Sequence, residues 1–567
     1  MKKNIYNNMK RLVLFVFVAL TLTSCEKFLD TTNYLSKDDS NFPQTAADLQ
    51  ALLTSVYADM QIQISSINDG NFLSDDQFCG GGPTDYLALA TDGLTKSDDN
   101  MYLGDWTTCY QGIYNANKVI EGCDKVDFSS DTTDKNTILG EAYFMRAYMY
   151  KELALLFGGV PLYTSSNVDN VERSSAPDVF ALIASDLKNA IELLPNVSFT
   201  NESDATLGHA TKWAAEAMLA RMFLFYTGYY NAIDMPLYGD DTNTLTKQQV
   251  IGYVEDCINN SGHKLLPDFR SLWFYSNTAT GADYPYNVET GVTWIGDTKA
   301  NTEAVFDIKY NTRGGWNNAA YGNGICLNYA LRGQDDYSLV FPFGMGWGQG
   351  TVNSRLVEAW NNDAPGDIRI KASVLNVLDS SEGIKSYQEG GWDQQYETHL
   401  WCKKYTGVMA WQDAAKTQIW GAADALYGVV IASGYFWNPE DFMVIRFSEV
   451  LLDHSELTQT VTGINQVRAR VGLPPIASYS LEALQKERRY ELAFEGLRYW
   501  DLLRWYGKQA GTIIDANQNG VNILQATVPS TVKFNLTQRV NDTGGLLQIP
   551  QSQIDLSNGK LTQNPGW

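Results

Sequence analysis

The apolar positions of this chain fall into two regimes. From Ala46 to about Met60 they recur at helical spacing, and a loop-like stretch follows through Asp69, Gly70, Asp75, Asp76 and Gly80-Gly81-Gly82-Pro83. A second helix follows Trp106 and carries Tyr110, Ile113, Tyr114 and Ile120. In a third, Met145, Tyr148, Met149, Leu153 and Leu156 repeat at steps of three and four until Gly158-Gly159-Val160-Pro161 ends the run. The fourth has the cleanest stripe, Val179, Leu182, Ile183, Leu187, Ala190, Ile191 and Leu194, stopped by Pro195. A fifth, about Thr211 to Tyr226, sets Ala217 and Ala220 on its apolar face, where small side chains admit a close neighbour. Helix pairs with small contact residues predict tetratricopeptide-like packing, although no strict sequence period is present.

The second regime runs from about Lys264 to Asp441. Helical periodicity fades there, Gly, Asn and Asp become frequent, and ten of the 15 tryptophans lie between Trp273 and Trp437. Helix returns at Phe447, Val450, Leu451, His454 and Leu457, and another helix is predicted from Ser480 to about Trp505. The tail from Gln551 to Trp567 reads as irregular. The predicted fold is mainly α: a helical scaffold over about 40–263 and 441–510, interrupted by a loop-rich, aromatic-rich insertion over about 264–440.

The first residues bear on location. Lys2, Lys3, Lys10 and Arg11 precede an apolar run, Leu12 to Leu22, of the length a secretory signal uses. It closes as Leu22-Thr23-Ser24-Cys25, which resembles the lipobox of lipoprotein precursors, so residues 1–24 are expected to be removed and Cys25 to take a diacylglycerol. Beyond Cys25 no apolar run is long enough to span a bilayer, so this lipid is the expected membrane attachment. The whole chain carries 42 basic and 65 acidic residues. Without its first 24, which hold four basic residues and no acid, 38 basic residues face 65 acidic ones, a net −27. Such a field repels nucleic acid and anionic head groups and suits neutral ligands. The six remaining cysteines, Cys79, Cys109, Cys123, Cys257, Cys326 and Cys402, form no CxxC, and no histidine lies near enough in sequence to suggest zinc.

At this point the chain resembles the SusD/RagB nutrient-binding lipoproteins. The resemblance is carried by Glu487-Arg488-Arg489-Tyr490-Glu491-Leu492-Ala493-Phe494-Glu495-Gly496-Leu497-Arg498-Tyr499-Trp500-Asp501-Leu502-Leu503-Arg504-Trp505. Supporting pieces are Ile464 to Arg470 before Gly472-Leu473-Pro474, Arg146-Ala147-Tyr148 before Phe157-Gly158-Gly159-Val160-Pro161, the start Cys25-Glu26-Lys27-Phe28-Leu29-Asp30, and Gln563-Asn564-Pro565-Gly566-Trp567. It implies four tetratricopeptide-like helix pairs, a ligand surface built from inserted loops, and a place on the outer-membrane surface of a Gram-negative bacterium. It also implies a partner, a SusC-like TonB-dependent barrel over which the lipoprotein sits as a lid. Energy for transport would come from the barrel, so no cofactor is expected. The physical reading of residues 487–505 is a partly buried ion-pair network, with Arg488 and Glu491, Glu495 and Arg498, and Asp501 and Arg504 three apart.

A glycan site needs rings for sugar C–H faces and polar groups for hydroxyls. The insertion offers Arg313-Gly314-Gly315-Trp316-Asn317-Asn318, Tyr321, Trp347 with Gln349, and Trp392-Asp393-Gln394 with Tyr396. The resemblance adds an early loop, hence Asp75, Asp76, Tyr102 and Trp106. Gly344-Met345-Gly346-Trp347-Gly348-Gln349-Gly350 lacks the Lys-Ser/Thr ending of a phosphate loop and reads as a flexible loop presenting an aromatic ring. Asp515 to Gly520 begins like a calcium loop, but Ala526 stands where the bidentate glutamate belongs, so no metal is predicted. No catalytic residue is assigned. A glycosidase would need two carboxylates fixed at a catalytic distance, which the sequence does not supply. Peptide capture remains the alternative within the same importer class.

Overall fold

The helices begin where the side chains can satisfy the first free N–H groups. The computed structural model describes residues 42–62, 65–85, 93–96, 98–129, 135–167, 171–311, 322–428 and 438–567. The scaffold helices are α1 (Ala46–Ile62), α2 (Leu103–Gly122), α3 (Lys135–Phe157), α4 (Ala176–Leu193), α5 (Lys212–Tyr229) and α6 (Lys247–Asn260). Ser175 caps α4 in a capping box with Asp178, with proline in the first turn. Thr246 and Gln249 make the same reciprocal cap on α6. That helix escapes the periodicity because only Val250, Val254 and Cys257 of its 14 residues are buried. Its capping box was the readable signal.

Each helix packs on the next, from α1 through α6, as a tetratricopeptide-like array. Arg146 ties three of them together. Its Nε and Nη2 donate to the two carboxylate oxygens of Asp186 on α4, both at 2.7 Å, and Nη1 donates to Asn117 Oδ1 on α2 at 2.7 Å. Four further helices, α7 (Phe447–Thr458), α8 (Thr462–Arg470), α9 (Leu481–Glu491) and α10 (Arg498–Tyr506), return to this array, with α7 on α6 and α10 on α5.

The insertion is made of short elements. Gln77–Phe78, Thr351–Val352, Leu400–Cys402 and Val374–Asn376 form a four-stranded antiparallel sheet in that order. Gln77 pairs with Val352 and Phe78 with Thr351, so this sheet stitches the early loop to the insertion. Ala304–Ile308 pairs with Phe442–Arg446 and brings the insertion back beside α5. Thr45–Trp567 forms one compact unit.

Residues 487–504 supply the ionic centre, with partners other than those their spacing suggests. Asp501 and Arg504 do pair along the helix at 2.8 Å. Glu491, however, receives Arg446 at 2.9 Å and Arg369 at 3.0 Å, together with Arg470. Glu495 takes Arg446 at 2.7 Å and Lys404 at 2.8 Å. Arg488 reaches Asp453, Glu449 and Asp501 at 2.6, 3.1 and 2.6 Å. The side chains of all of these residues are buried.

Two predicted elements need correction. The helix expected to run from Ser480 to Trp505 is two helices, α9 and α10. Asn71 accepts from Gly496 N–H at 2.9 Å and donates to the Phe494 carbonyl at 3.1 Å, holding the break open. Gly496 has φ +81°, and a Cβ there would meet Ile67 Cα at 2.8 Å, so the position needs glycine. The tail is also more ordered than it reads: Gln551–Leu556 is helical. The six cysteines Cys79, Cys109, Cys123, Cys257, Cys326 and Cys402 are buried free thiols.

Burial alone would raise the Glu491 carboxyl, but Arg470, Arg446 and Arg369 outweigh it and hold it well below the usual range. Its stabilising effect is therefore full above the ordinary glutamate pKa of about 4.3 and is lost as the pH falls through the lower folded value. Glu491→Gln should cost about 3–5 kcal/mol, because three buried arginines lose their shared counter-charge. Urea midpoints measured from pH 7 to pH 3 check both parts. The variant should be less stable at pH 7, and its stability should fall less steeply on acidification.

Candidate ligand-binding surface

The described tryptophans of the insertion divide by burial, with Trp294, Trp411 and Trp420 half-buried. Trp273, Trp360 and Trp401 are fully buried, whereas Trp347 and Trp392 keep 37% and 52% of their surface exposed. These two rings sit on loops bonded to a common residue. Gly81 N–H donates to Gly348 O at 3.0 Å, and its carbonyl accepts from Gln395 N–H at 2.8 Å. Gln394 Nε2 adds a bond to the same Gly348 carbonyl at 2.8 Å.

Trp347 is held from below. The N–H groups of Gly346, Trp347, Gly348 and Gln349 donate to the carbonyls of Leu331, Leu327, Ala330 and Asn328 at 2.7–3.0 Å. The glycine-rich loop is thus fixed, not flexible as its composition suggests, and these four donors are spent on the chain itself. Trp392 is held under strain. Trp392, Asp393, Tyr396 and His399 all have φ between +50° and +63°, a region costing non-glycine residues about 1–2 kcal/mol each. The surroundings enforce it: Gly390 N–H donates to Glu397 Oε2 at 2.7 Å, Glu397 and Leu524 exchange backbone bonds at 3.0 and 2.8 Å, and Ala526 N–H donates to Gln394 O at 2.6 Å.

Arg332 completes the surface. Its Nε and Nη2 donate to the Trp392 carbonyl at 3.2 and 3.1 Å, and its guanidinium carbon lies 5.9 Å from the indole centroid. The sequence reading missed this residue. The available signal was the glycine beside it: a Cβ on Gly333 would meet the Gly391 carbonyl carbon at 2.2 Å, so two glycine backbones press the Arg332 and Trp392 loops together. Gln349 reaches Asp85 Oδ2 at 2.8 Å, adding an amide and a carboxylate next to Trp347. Together, Trp347, Trp392, Arg332 and the nearby polar groups provide faces for stacking and a cationic donor for hydroxyls.

The other expected residues lie elsewhere. Asp75 and Asp76 are buried and already partnered, which is a correction. Arg498 donates to both Asp75 oxygens at 2.8 and 3.0 Å, Asn517 donates at 2.7 Å, and Arg489 bridges Asp75 to Asp76. Burial opposes ionisation of Asp75, but Arg489 and Arg498 hold it well below the usual carboxylate range. For Asp76 burial prevails over Arg489, and its pKa is raised. Tyr102 is buried edge-on against Phe157 at 6.1 Å, packed in the helical scaffold and not in the loop surface. Trp106 packs against Tyr110 and Phe157 at 5.0 and 5.4 Å and lines a separate cleft. Tyr396 is half-buried, stacked on Phe78 at 6.1 Å and tilted against Phe534, where it covers a small core of Phe78, Val521, Ile523 and Val532. Trp316, Asn317, Tyr321 and Cys25 lie outside the described residues. Asp515, which opened the calcium-like motif, accepts from Leu536 N–H and Thr537 N–H at 2.9 and 2.8 Å. Among the described residues no cluster of acids, histidines and cysteines could hold a metal, and no helix is long and apolar enough to cross a membrane.

Two family descriptions match the chain. Residues 27–224 match a SusD-like family described as starch-binding and associating with the outer membrane, and residues 295–567 match the SusD family. The chain belongs to the SusD/RagB family. Among its relatives is SusD-like protein P2 of Formosa agariphila, 24% identical over 529 residues, which span 87% of this chain and 90% of the relative. A SusD-like protein of Bacteroides ovatus is 27% identical over 276 residues, or 47% of each chain. Among solved structures, a laminarin binding SusD-like protein superposes with TM-score 0.69 at 23% identity, covering 92% of this chain and all of that one. Surface glycan-binding protein A from Bacteroides thetaiotaomicron, in complex with laminarihexaose, gives TM-score 0.66 at 19% identity over 92% of this chain and all of that one. The SusD-like fold therefore extends over nearly the whole chain.

The contrast between exposed and buried indoles has a direct consequence. Trp392→Ala should change stability by no more than about 0.5 kcal/mol, whereas Trp401→Ala should cost about 3–5 kcal/mol by opening a cavity. Thermal denaturation of both variants, followed by circular dichroism, measures the difference.

Proposed function

We propose that this SusD-family chain is a cell-surface lipoprotein that captures a glycan and delivers it to a SusC-like TonB-dependent barrel in the outer membrane. The observation that carries the ligand class is the pair of exposed indoles, Trp347 and Trp392, on adjacent pinned loops beside Arg332. Neutral sugars suit a chain whose net charge is strongly negative, since they meet no long-range repulsion. Rings fixed before the ligand arrives cost little ordering entropy on binding. The family members that bind laminarin or laminarihexaose, and a further structural relative in complex with a xylogluco-oligosaccharide, support the same class.

Cys25 is the proposed lipid attachment, and the barrel the proposed partner over which the protein acts as a lid. The chain's own residues have the task of binding and orienting the sugar; no bond-breaking step is assigned to them. Glu440, whose burial pushes it up to about 8, sits in the core beside Asn438 and the Phe274 N–H, a setting that needs no catalytic explanation. Peptide capture would favour an exposed strand edge over stacked rings.

Affinity electrophoresis of the protein lacking residues 1–25, against plant, microbial and host polysaccharides, tests the ligand class. One glycan should retard it, and Trp347→Ala or Trp392→Ala should weaken that retardation about tenfold. Calorimetric heat from a mixed peptide digest, with none from any glycan, would reject the glycan reading.

A further inference from the structure

A second concave surface lies on the helical scaffold, apart from Trp347, Trp392 and Arg332, none of which lines it. This cleft of about 780 Å³ is lined by the first turns of α2 and the helix Gln551–Leu556, together with Pro161 and Tyr163. The volume falls within the ~300–1,000 Å³ that ligand pockets occupy. Its far wall is anchored, because Gln551 N–H donates to Asp99 O and Ser552 N–H to Asn100 Oδ1, both at 2.9 Å.

Three rings form a continuous path along one side. Trp106 meets Tyr110 at 5.0 Å, tilted by 50°, and Tyr110 meets Tyr163 at 5.6 Å, nearly perpendicular. Tyr110 is locked by its hydroxyl, which donates to Pro161 O at 2.8 Å. Tyr114, one turn further along α2, is half-exposed. Leu556 stands 71% exposed on the opposite wall, with Gln553 beside it. The charge pattern is the informative feature. None of the fourteen described side chains lining the cleft is ionisable near neutral pH, although 19% of the chain is Asp, Glu, Lys or Arg. The polar groups present are hydroxyls and amides.

From this geometry we infer that the cleft is a second carbohydrate site, taking neutral sugar residues by stacking on Tyr110, Tyr114 and Tyr163 and by hydrogen bonds to the amides and hydroxyls of the rim. The described lining offers no partner for ion pairing. A peptide in extended form would seek a strand edge, and the described residues lining the cleft belong to no β-strand: they come chiefly from α2, the helix Gln551–Leu556 and the segments around Pro161–Ser165 and Ser557–Leu561. Sugars need no such edge. The sugar class rests on the glycan reading of the Trp347 and Trp392 surface, while the location does not. Two sites on one molecule would hold a polymeric glycan more tightly than either alone, because the second contact is intramolecular.

Hydrogen exchange of the protein lacking residues 1–25 distinguishes the two sites. Laminarihexaose, xylogluco-oligosaccharides, other neutral oligosaccharides and a mixed peptide digest serve as probes. Protection of residues 103–115 and 551–561 by a sugar, lost in Tyr114→Ala and in Leu556→Arg with affinity at that site reduced about tenfold, supports the proposal. Both positions are partly or largely exposed, and Leu556→Arg tests blockage without removing a core ring. Sugar protection confined to residues 344–350 and 388–397 overturns the second site and leaves the first. Sugar protection confined to the cleft keeps this proposal and overturns the first site. Protection of the cleft by peptides alone overturns the sugar assignment, and protection nowhere overturns both readings.

Discussion

Glu491 and the three arginines that converge on it, Arg369, Arg446 and Arg470, form the constraint on which the rest of the structure depends. Each arginine comes from a different segment: Arg369 from the insertion, Arg446 from the strand leaving it, and Arg470 from α8. A hydrophobic contact could hold those segments close with equal strength, but it would tolerate sliding. Guanidinium hydrogen bonds do not, since each arginine gives one Nη to the Glu491 carboxylate while also engaging a second carboxylate, Asp367, Glu495 or Glu303, which fixes both distance and orientation. Placing so much charge out of water is costly, and the net stabilisation from such a network is small compared with the penalty for leaving any member unpaired. The network therefore functions less as a reservoir of stability than as a specification of which loop meets which helix.

That specification reaches the surface of Trp347 and Trp392 through the early loop. Arg489 and Arg498, on the same segment as Glu491, hold Asp75 and Asp76. The chain then enters the sheet at Gln77 and Phe78, and three residues later Gly81 bonds to both the Trp347 and the Trp392 loops. The path from buried charge to exposed indole is thus short: a few residues of chain from Asp76 to Gly81, then one hydrogen bond to each loop. It also explains why the 392–399 loop can keep four residues at positive φ. The strain there is opposed by the Glu397–Leu524 pairing, the Gln394–Ala526 bond and the Gly333–Gly391 contact, all anchored in a rigid body. Strain of this kind persists only where the surroundings over-determine the backbone.

Legibility in the sequence followed the range of the interactions. Helices α1 to α5 could be read because their signals, apolar steps of three and four, capping residues and a following Gly or Pro, lie within one or two turns. Helix α6 was missed because three buried positions make too faint a stripe, and the break between α9 and α10 was missed because it depends on Asn71, more than 400 residues away. The same limit governs the site. Trp347 and Trp392 could be proposed from local composition, glycine and amide neighbours around an indole, and both are exposed. Asp75 and Asp76 looked like ligand groups in a polar loop because nothing near them reveals Arg489 and Arg498. Trp106 and Tyr102 looked like members of that loop, yet they belong to the first turn of α2 and its cap. Arg332 carried no signal of its own.

The distribution of charge adds a last step. This acidic chain places a network of paired ions in the interior, around residues 487–504, while the described residues lining its scaffold cleft carry hydroxyls, amides, rings and aliphatic groups and none is ionisable near neutral pH. A surface built to attract ions would do the reverse, placing unpaired charge where field lines focus. The long-range field discourages anions, and on the proposed reading selectivity would rest on shape, stacking and hydroxyl bonding. Individual contacts of that kind are weak. A protein that relies on them gains retention by presenting rigid rings, which lowers the ordering cost of each contact, and by presenting more than one set, which makes the second contact intramolecular. On the proposed reading, the strained Trp392 loop, the pinned Trp347 loop and the tyrosines of the scaffold cleft would be three solutions to that one requirement.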